Sequence, residues 1–152
     1  MNRALGLVRR GRIILAQSYL EPGDLRARGF VLGSYLLIKG SHTFINLDIG
    51  QSAQWFPEYG LELGPALAPA PASIAALRRA NGLYVRRYEN GTVVVNPEGQ
   101  AHLFRLAGPA RLVQPVGGGA LNAAADTRGW GLRERVVRGS VLVPAHAGLV
   151  LL

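Results

Sequence analysis

Residues 84 to 96 read Tyr84-Val-Arg-Arg-Tyr-Glu-Asn-Gly-Thr-Val-Val-Val-Asn96, two runs of β-branched and aromatic residues around an Asn-Gly pair. Asn-Gly between such runs is the strongest short-range signal for a β-hairpin. The sequence therefore predicts strands over residues 83–88 and 92–96 with a turn at Glu89-Asn90-Gly91. Alternation along the first strand places Arg86 and Arg87 on opposite faces.

Further short apolar runs follow this hairpin, and turn signals separate them: a Gly-Pro pair, three consecutive glycines from Gly117 and a proline at Pro144. Seven short strands with frequent turns are typical of a β-sandwich. We therefore predict a mainly β chain whose residues 82–152 form an antiparallel β-sandwich. The additional strands are predicted at 101–106, 110–116, 135–138, 140–143 and 148–152.

The composition agrees with a globular β protein. Hydrophobic residues make up 49% of the chain and charged residues 17%, which argues against disorder. The 20 glycines and 9 prolines suit short strands joined by turns better than a helical bundle. The chain has no cysteine, which excludes disulfides, thiolate metal ligands and a cysteine nucleophile but leaves the cellular compartment open.

The net charge of +8 raises the question of nucleic-acid binding. Only Arg9, Arg10 and Arg12 form a dense basic group, so no nucleic-acid partner is expected. No segment approaches the roughly 20 apolar residues that span a bilayer. The short apolar run from Ile13 to Ala16 is too brief for the core of a signal peptide and indicates a strand. Neither a membrane anchor nor a leader is predicted in this chain.

The first part of the sequence predicts a strand, a helix and a second strand. The segment at residues 12–17 contains four consecutive apolar residues without alternation, which is typical of a buried parallel strand. Asp24 is placed to cap a helix running to about residue 39, with Gly40 in the position of a C-terminal cap. A second strand is predicted over 43–47, so the unit belongs to a parallel sheet. The proline- and alanine-rich stretch that begins at Gly64 then predicts a linker over residues 64–81.

Three sequence segments, taken in their order along the chain, resemble the C-terminal region of a hypothetical glycoside-hydrolase family. They are Trp55-Phe-Pro-Glu-Tyr-Gly-Leu-Glu-Leu-Gly-Pro65, Tyr84-Val-Arg-Arg-Tyr-Glu-Asn-Gly-Thr-Val-Val-Val-Asn-Pro97 and Val143-Pro-Ala-His-Ala-Gly-Leu-Val-Leu-Leu152. The resemblance implies a (β/α)₈ barrel followed by an antiparallel β-sandwich. Residues 1–63 would then be a partial barrel segment that contains its seventh and eighth strands.

Such a barrel normally needs about 250 residues, far more than precede the linker here. We therefore expect the C-terminal fragment or subunit of a glycoside hydrolase that acts on carbohydrate and is not catalytically competent alone. The alternative is a stand-alone carbohydrate- or protein-binding β-sandwich module. The expected partners are carbohydrate and either the missing barrel portion or a second copy of the chain.

Glycoside hydrolysis ordinarily uses two carboxyl groups. Glu21 and Asp48 are candidates because each follows a predicted barrel strand at its carboxyl end. Glu58 is a third candidate because neighbouring aromatic residues could desolvate it, as a general acid requires. Each has a simpler interpretation: Glu21 as a turn residue, Asp48 as a loop acceptor and Glu58 as the partner of an arginine. No catalytic pair is assigned.

The aromatic residues Trp55, Phe56 and Tyr59 are the candidates for contact with sugar, since an aromatic face covers the apolar face of a pyranose. Packing in the core is the competing interpretation. The three histidines, His42, His102 and His146, are too far apart in sequence for a zinc motif. No metal and no cofactor are expected.

Overall fold

A computed structural model describes residues 1–50 and 52–152. Over these residues the fold is mainly β, with antiparallel sheets and two α-helices. The predicted fold class is therefore confirmed.

The predicted hairpin is present. β4 (Tyr84–Tyr88) pairs antiparallel with β5 (Gly91–Asn96), and Tyr88 lies opposite Gly91. The connecting Glu89-Asn90 turn is tied to the preceding chain, because the Asn90 backbone N–H donates to the Leu63 carbonyl at 2.9 Å. Arg86 is buried and Arg87 is exposed, as the alternation predicts.

Three strands join the hairpin: β7 (Ala110–Val116), β9 (Gly131–Val137) and β11 (Ala147–Leu151). The five strands form one antiparallel sheet in the order β4-β5-β11-β7-β9. A separate antiparallel pair consists of β6 (His102–Arg105) and β10 (Ser140–Val143). Most of these strands lie within two residues of their predicted positions, whereas β9 begins four residues earlier than predicted.

Each face of the five-stranded sheet is covered. On one face, a cluster of buried side chains joins the sheet to the β6–β10 pair: Leu83, Val85, Val94, Leu112, Val137, Val141, Val143 and Leu151. On the other face the long helix α2 (Leu25–Ile38) packs against β11, β5 and β4. The helix is apolar around much of its circumference, because its side chains pack both on that sheet and on residues of a second, smaller one.

The smaller sheet consists of β1 (Ile14–Gln17) and β2 (Thr43–Asn46), which pair in parallel on either side of α2 in the chain. The predicted strand–helix–strand unit is therefore present. Asp24 caps the helix as expected: its Oδ1 accepts the backbone N–H groups of Arg26 at 3.1 Å and Ala27 at 2.9 Å.

The C-terminal end of α2 is stabilised differently from the prediction. Lys39, in an extended conformation, occupies the cap position, and Gly40 does not adopt the left-handed conformation of a capping glycine. Instead, Nη1 of Arg86 donates to the carbonyl oxygens of Leu36, Leu37 and Lys39 at 3.2, 3.2 and 2.8 Å. A cation here complements the negative end of the helix dipole. The assignment of Gly40 was wrong because the capping group comes from a strand far along the chain.

Tyr88 adds a second donor at this end of the helix. Its hydroxyl donates to the Leu36 carbonyl at 2.5 Å. Burial raises the pKa of Tyr88 to about 12, so this hydroxyl keeps its proton throughout the ordinary pH range.

Glycines set the distance between α2 and the large sheet. A Cβ atom at Gly148 of β11 would overlap the Gly29 carbonyl oxygen of the helix, and one at Gly33 would lie 2.8 Å from Val95 Cγ2. Backbone therefore meets backbone at the crossing.

The other elements are short. An N-terminal helix, α1 (Asn2–Arg9), was not predicted; it forms because Leu5 packs into the core beside α2. β3 (Gln54–Trp55) pairs with β8 (Gly119–Ala120). Single 3₁₀ turns span Pro57–Gly60 and Ile74–Leu77. Several side chains of the predicted linker pack partly buried on the core: Ala66, Ala70, Ile74 and Leu77.

Candidate functional site

The carboxyl ends of the two parallel strands are joined by hydrogen bonds. The Ser18 backbone N–H, just after β1, donates to the Asn46 carbonyl at 3.1 Å, and its hydroxyl donates to the Leu47 carbonyl. Asp48 follows directly. In parallel α/β folds this edge of the sheet is where ligands bind.

Asp48 is half-buried at this edge. Its Oδ2 accepts the side-chain amide of Gln54 at 2.7 Å, which connects the end of β2 to β3. Trp55, the other residue of β3, pairs with Gly119 of β8. The β3–β8 pair thus brings the glycine-rich turn to the carboxyl edge of β1 and β2.

The three aromatic candidates occupy different environments. Trp55 is 42% exposed, Phe56 is completely buried and Tyr59 is half-buried. The rings of Trp55 and Phe56 both meet the Tyr59 ring edge to face, with centroid distances of 5.5 and 5.8 Å. Trp55 is therefore the member of this group that offers a substantial apolar surface to solvent, while Phe56 belongs to the core.

Tyr59 is held in place by hydrogen bonds of its hydroxyl group and by aromatic contacts of its ring. Its hydroxyl accepts the Leu47 backbone N–H at 2.9 Å and lies 3.3 Å from Oδ1 of Asn46, so it can donate there. Burial raises the pKa of Tyr59, and the Leu47 hydrogen bond partly opposes this shift. The neutral hydroxyl anchors the ring against which Trp55 packs.

Glu58 is buried in an ion pair with Arg28 of α2. Nε and Nη2 of Arg28 donate to the two carboxylate oxygens at 2.9 and 2.5 Å, and both side chains are at most 4% exposed. This parallel two-bond geometry is the strongest arginine–carboxylate arrangement. Both oxygens of Glu58 are therefore occupied within the protein, as the simpler interpretation of this residue proposed.

Arg28 has further partners. Its Nη1 donates to the carbonyl oxygens of Pro22 at 2.7 Å and Gly117 at 2.9 Å, and its guanidinium lies over the Phe56 ring at 4.9 Å. Arg28 was not predicted from the sequence, because its partners Glu58 and Gly117 lie 30 and 89 residues away. The only signal was the excess of arginine over acidic residues, which does not single out one position.

The turn from Gly117 to Gly119 is shaped to receive that guanidinium. All three glycines have positive φ, at 75°, 104° and 130°. A Cβ at Gly118 would lie 2.9 Å from Nη2 of Arg28, and one at Gly117 would overlap the Trp130 indole. The triple glycine is thus required for close packing.

Glu21 is exposed in the turn before α2, where its carbonyl oxygen accepts the Asp24 N–H at 2.9 Å. Within residues 1–50 and 52–152 it shares no hydrogen bond or ion pair with Asp48 or Glu58. The carboxyl groups of Asp48 and Glu58 therefore have separate partners, and that of Glu21 has none among the described residues.

The histidines are likewise dispersed. His102 lies 3.0 Å from Glu98, His146 packs edge-on against Phe30, and His42 is exposed. No group of three potential metal ligands occurs among the described residues. None of the helices in the described part of the chain is long and apolar enough to cross a membrane.

Comparison with known proteins identifies a family. Residues 3–92 match the model of Hypothetical glycosyl hydrolase family 15. No curated protein and no solved structure matches the chain significantly. The matched region includes most of α1, the strand–helix–strand unit of β1, α2 and β2, residues 55–65 and most of the β4–β5 hairpin. Since it covers more than half of the sequence, the chain belongs to Hypothetical glycosyl hydrolase family 15.

Proposed function

We propose that this chain is the carbohydrate-contacting C-terminal part of a glycoside hydrolase whose catalytic carboxyl groups lie on other barrel strands. One observation carries the proposal: Trp55, 42% exposed and in edge-to-face contact with Tyr59, directly follows Gln54, whose side chain binds Asp48 at the carboxyl edge of two parallel strands. An exposed, rigidly held indole matches the apolar face of a sugar ring.

The environment of the carboxyl candidates favours a supporting role for this chain. Both oxygens of Glu58 bind Arg28, and one oxygen of Asp48 binds Gln54. A hydrolase needs one carboxyl group to protonate the leaving group and a second as nucleophile or base. We therefore expect binding without hydrolysis from this chain alone.

A mutation at Trp55 tests the carbohydrate contact. Isothermal titration with neutral hexasaccharides of glucose, xylose and mannose should show saturable binding of at least one of them. Trp55→Ala should weaken that binding by about 5- to 30-fold, corresponding to roughly 1–2 kcal/mol of lost aromatic contact. Tyr19→Ala is the matched control, because Tyr19 is an aromatic residue that is 81% exposed. It lies outside the group formed by Trp55, Phe56 and Tyr59, the Trp55 cluster.

Equal effects of the two variants would contradict a specific role for Trp55, and the absence of saturable binding by the wild type would refute the proposal. A Trp130→Phe background leaves Trp55 as the single indole, so its fluorescence should change on binding.

The parallel sheet supports the barrel part of the proposal. β1 and β2 have no other strand neighbour among the described residues. Leu15 and Phe44 lie opposite each other and are 68% and 54% exposed. Parallel strands normally have both faces covered. We propose that residues 1–63 are the last strand–helix–strand unit of a (β/α)₈ barrel, residues 64–81 its linker and residues 82–152 a β-sandwich.

Uncovered apolar strands promote association. We expect the full chain to self-associate at micromolar concentration in sedimentation velocity, and Phe44→Lys to shift it towards monomer. Leu103→Lys is the control, because Leu103 and Leu142 form an exposed cross-strand pair on the β6–β10 ribbon. A monomeric wild type, or an equal shift from both variants, would count against a specific uncovered face on β1 and β2.

A further inference from the structure

A cavity of about 550 Å³ opens between α1, the C-terminal end of α2 and the start of the proline- and alanine-rich segment. Three cationic residues line it: Arg9, Lys39 and Arg86. Ser41 adds a hydroxyl, and the proline- and alanine-rich segment supplies the opposite wall. The volume lies within the range of small-molecule sites, about 300–1,000 Å³.

The charge around this cavity is not balanced. Within the described residues, none of those lining it carries a carboxylate. Arg86 is only 6% exposed, and its hydrogen bonds from Nη1 go to the carbonyl oxygens at the end of α2. Arg9 lies in the last turn of α1 and Lys39 at the end of α2, and each helix C-terminus supplies about half an elementary negative charge, so the three cations exceed this negative charge.

Arg86 has N–H groups that are not used in the hydrogen bonds to the helix. The hydrogen bonds to the helix all leave from Nη1, and the N–H groups of Nη2 have no acceptor among residues 1–50 and 52–152. A guanidinium held by its own hydrogen bonds presents its remaining N–H groups in a fixed orientation, which suits a carboxylate or a phosphate.

We propose that this cavity binds a small ligand through an oxyanion, either a carboxylate or a phosphate. Arg86 provides the fixed donor, and Lys39, Arg9 and Ser41 complete the contacts. The site is separate from the Trp55 cluster: Gly40 and Ser41 precede β2, whereas Asp48 follows it, so the two lie at opposite ends of that strand. The inference does not depend on the proposed function.

Isothermal titration of the full chain at low ionic strength tests the proposal with three probes: inorganic phosphate, galacturonate and neutral galactose. We expect saturable binding of phosphate, galacturonate or both, and none of galactose. The comparison distinguishes a phosphate ligand from a sugar acid. Lys39→Gln and Arg9→Gln should each weaken binding by about 3- to 10-fold, an effect that decreases with added salt.

The matched control is Arg87→Gln, which removes the same charge from the exposed neighbour of Arg86. It should leave the affinity within about 2-fold of the wild type, because a solvated charge outside the cavity is screened. Arg86→Lys keeps the charge but loses the planar set of guanidinium N–H donors. It should weaken binding by about 10-fold or more if circular dichroism shows a folded protein. If the Arg86→Lys variant does not fold, the Lys39→Gln and Arg9→Gln variants test the proposed anion binding.

Three results would overturn the proposal. They are the absence of saturable binding by either anion up to about 50 mM, equal affinity for galactose and galacturonate, and equal weakening by Arg87→Gln and Lys39→Gln.

Discussion

Replacement of Arg28 by methionine is expected to lower the free energy of unfolding by about 3–5 kcal/mol. The change leaves the Glu58 carboxylate buried without a counterion and removes the hydrogen bonds to the Pro22 and Gly117 carbonyls. Burying a charge without its partner is among the most destabilising single changes in a protein. Urea denaturation followed by far-UV circular dichroism measures the effect.

The double variant Arg28→Met/Glu58→Leu distinguishes the interaction between the two side chains from the cost of burying one of them without its partner. Replacing both members of a buried ion pair by apolar side chains is often nearly neutral. The double variant should therefore regain much of the stability that either single variant loses, which a double-mutant cycle records as favourable coupling. Additive losses would show that the two residues do not act as a pair.

Arg78→Met is the control for the loss of an arginine. Arg78 also binds a carboxylate, that of Glu98 at 3.0 Å, but its side chain is 53% exposed. Exposed pairs contribute little, so stability should hardly change. An effect as small as this from Arg28→Met would contradict the structural role described for Arg28.

The second large effect is expected at Gly148. Gly148→Ala should destabilise the protein by about 3 kcal/mol or more, at the upper end of overpacking effects. The new Cβ would overlap the Gly29 carbonyl oxygen and approach the Gly33 Cα to 3.4 Å. Because both groups belong to the backbone of α2, no rotamer change relieves the overlap and the whole helix must move.

Thermal unfolding measures this loss, and hydrogen exchange should show reduced protection in α2. Gly131→Ala is the matched control: Gly131 also lies in a strand of the large sheet, has no positive φ and has open space where its Cβ would stand. There, alanine should be neutral or slightly stabilising, because it restricts the unfolded chain. Equal losses from both substitutions would indicate a general intolerance of the sheet to alanine.

The local part of this fold was predictable from the sequence because its signals lie within a few residues of each other. Asn90-Gly91 between two β-rich runs identifies the hairpin, and Asp24 identifies the start of α2. Both signals act through nearby backbone, so distant residues do not override them.

Contacts between distant segments were not predictable. Nothing near Glu58 identifies Arg28 as its partner, and nothing near Gly40 reveals that Arg86 caps the helix. β3 is only two residues long, too short for alternation to tell the exposed Trp55 from the buried Phe56 that follows it. The position of β11 between β5 and β7 depends on pairing across at least 51 residues to β5, where Ala147 lies opposite Asn96, and across 39 residues to β7, where Leu151 lies opposite Leu112, and no local pattern encodes either.

Direct contacts join the two sides of the proline- and alanine-rich segment, among them those of Arg28 with Gly117, Arg86 with the end of α2, and Gly148 with Gly29. None of them passes through the segment itself. Recognition between the flanking parts is therefore built into surfaces that fit each other. The segment adds backbone hydrogen bonds to the hairpin, from Leu67 to Arg87 and from Glu89 to Pro65. The peptide connection also raises the local concentration of the two parts. A chain divided there into two polypeptides would retain the complementary surfaces, so the fold has the properties needed for fragment complementation and for gene fission at this point.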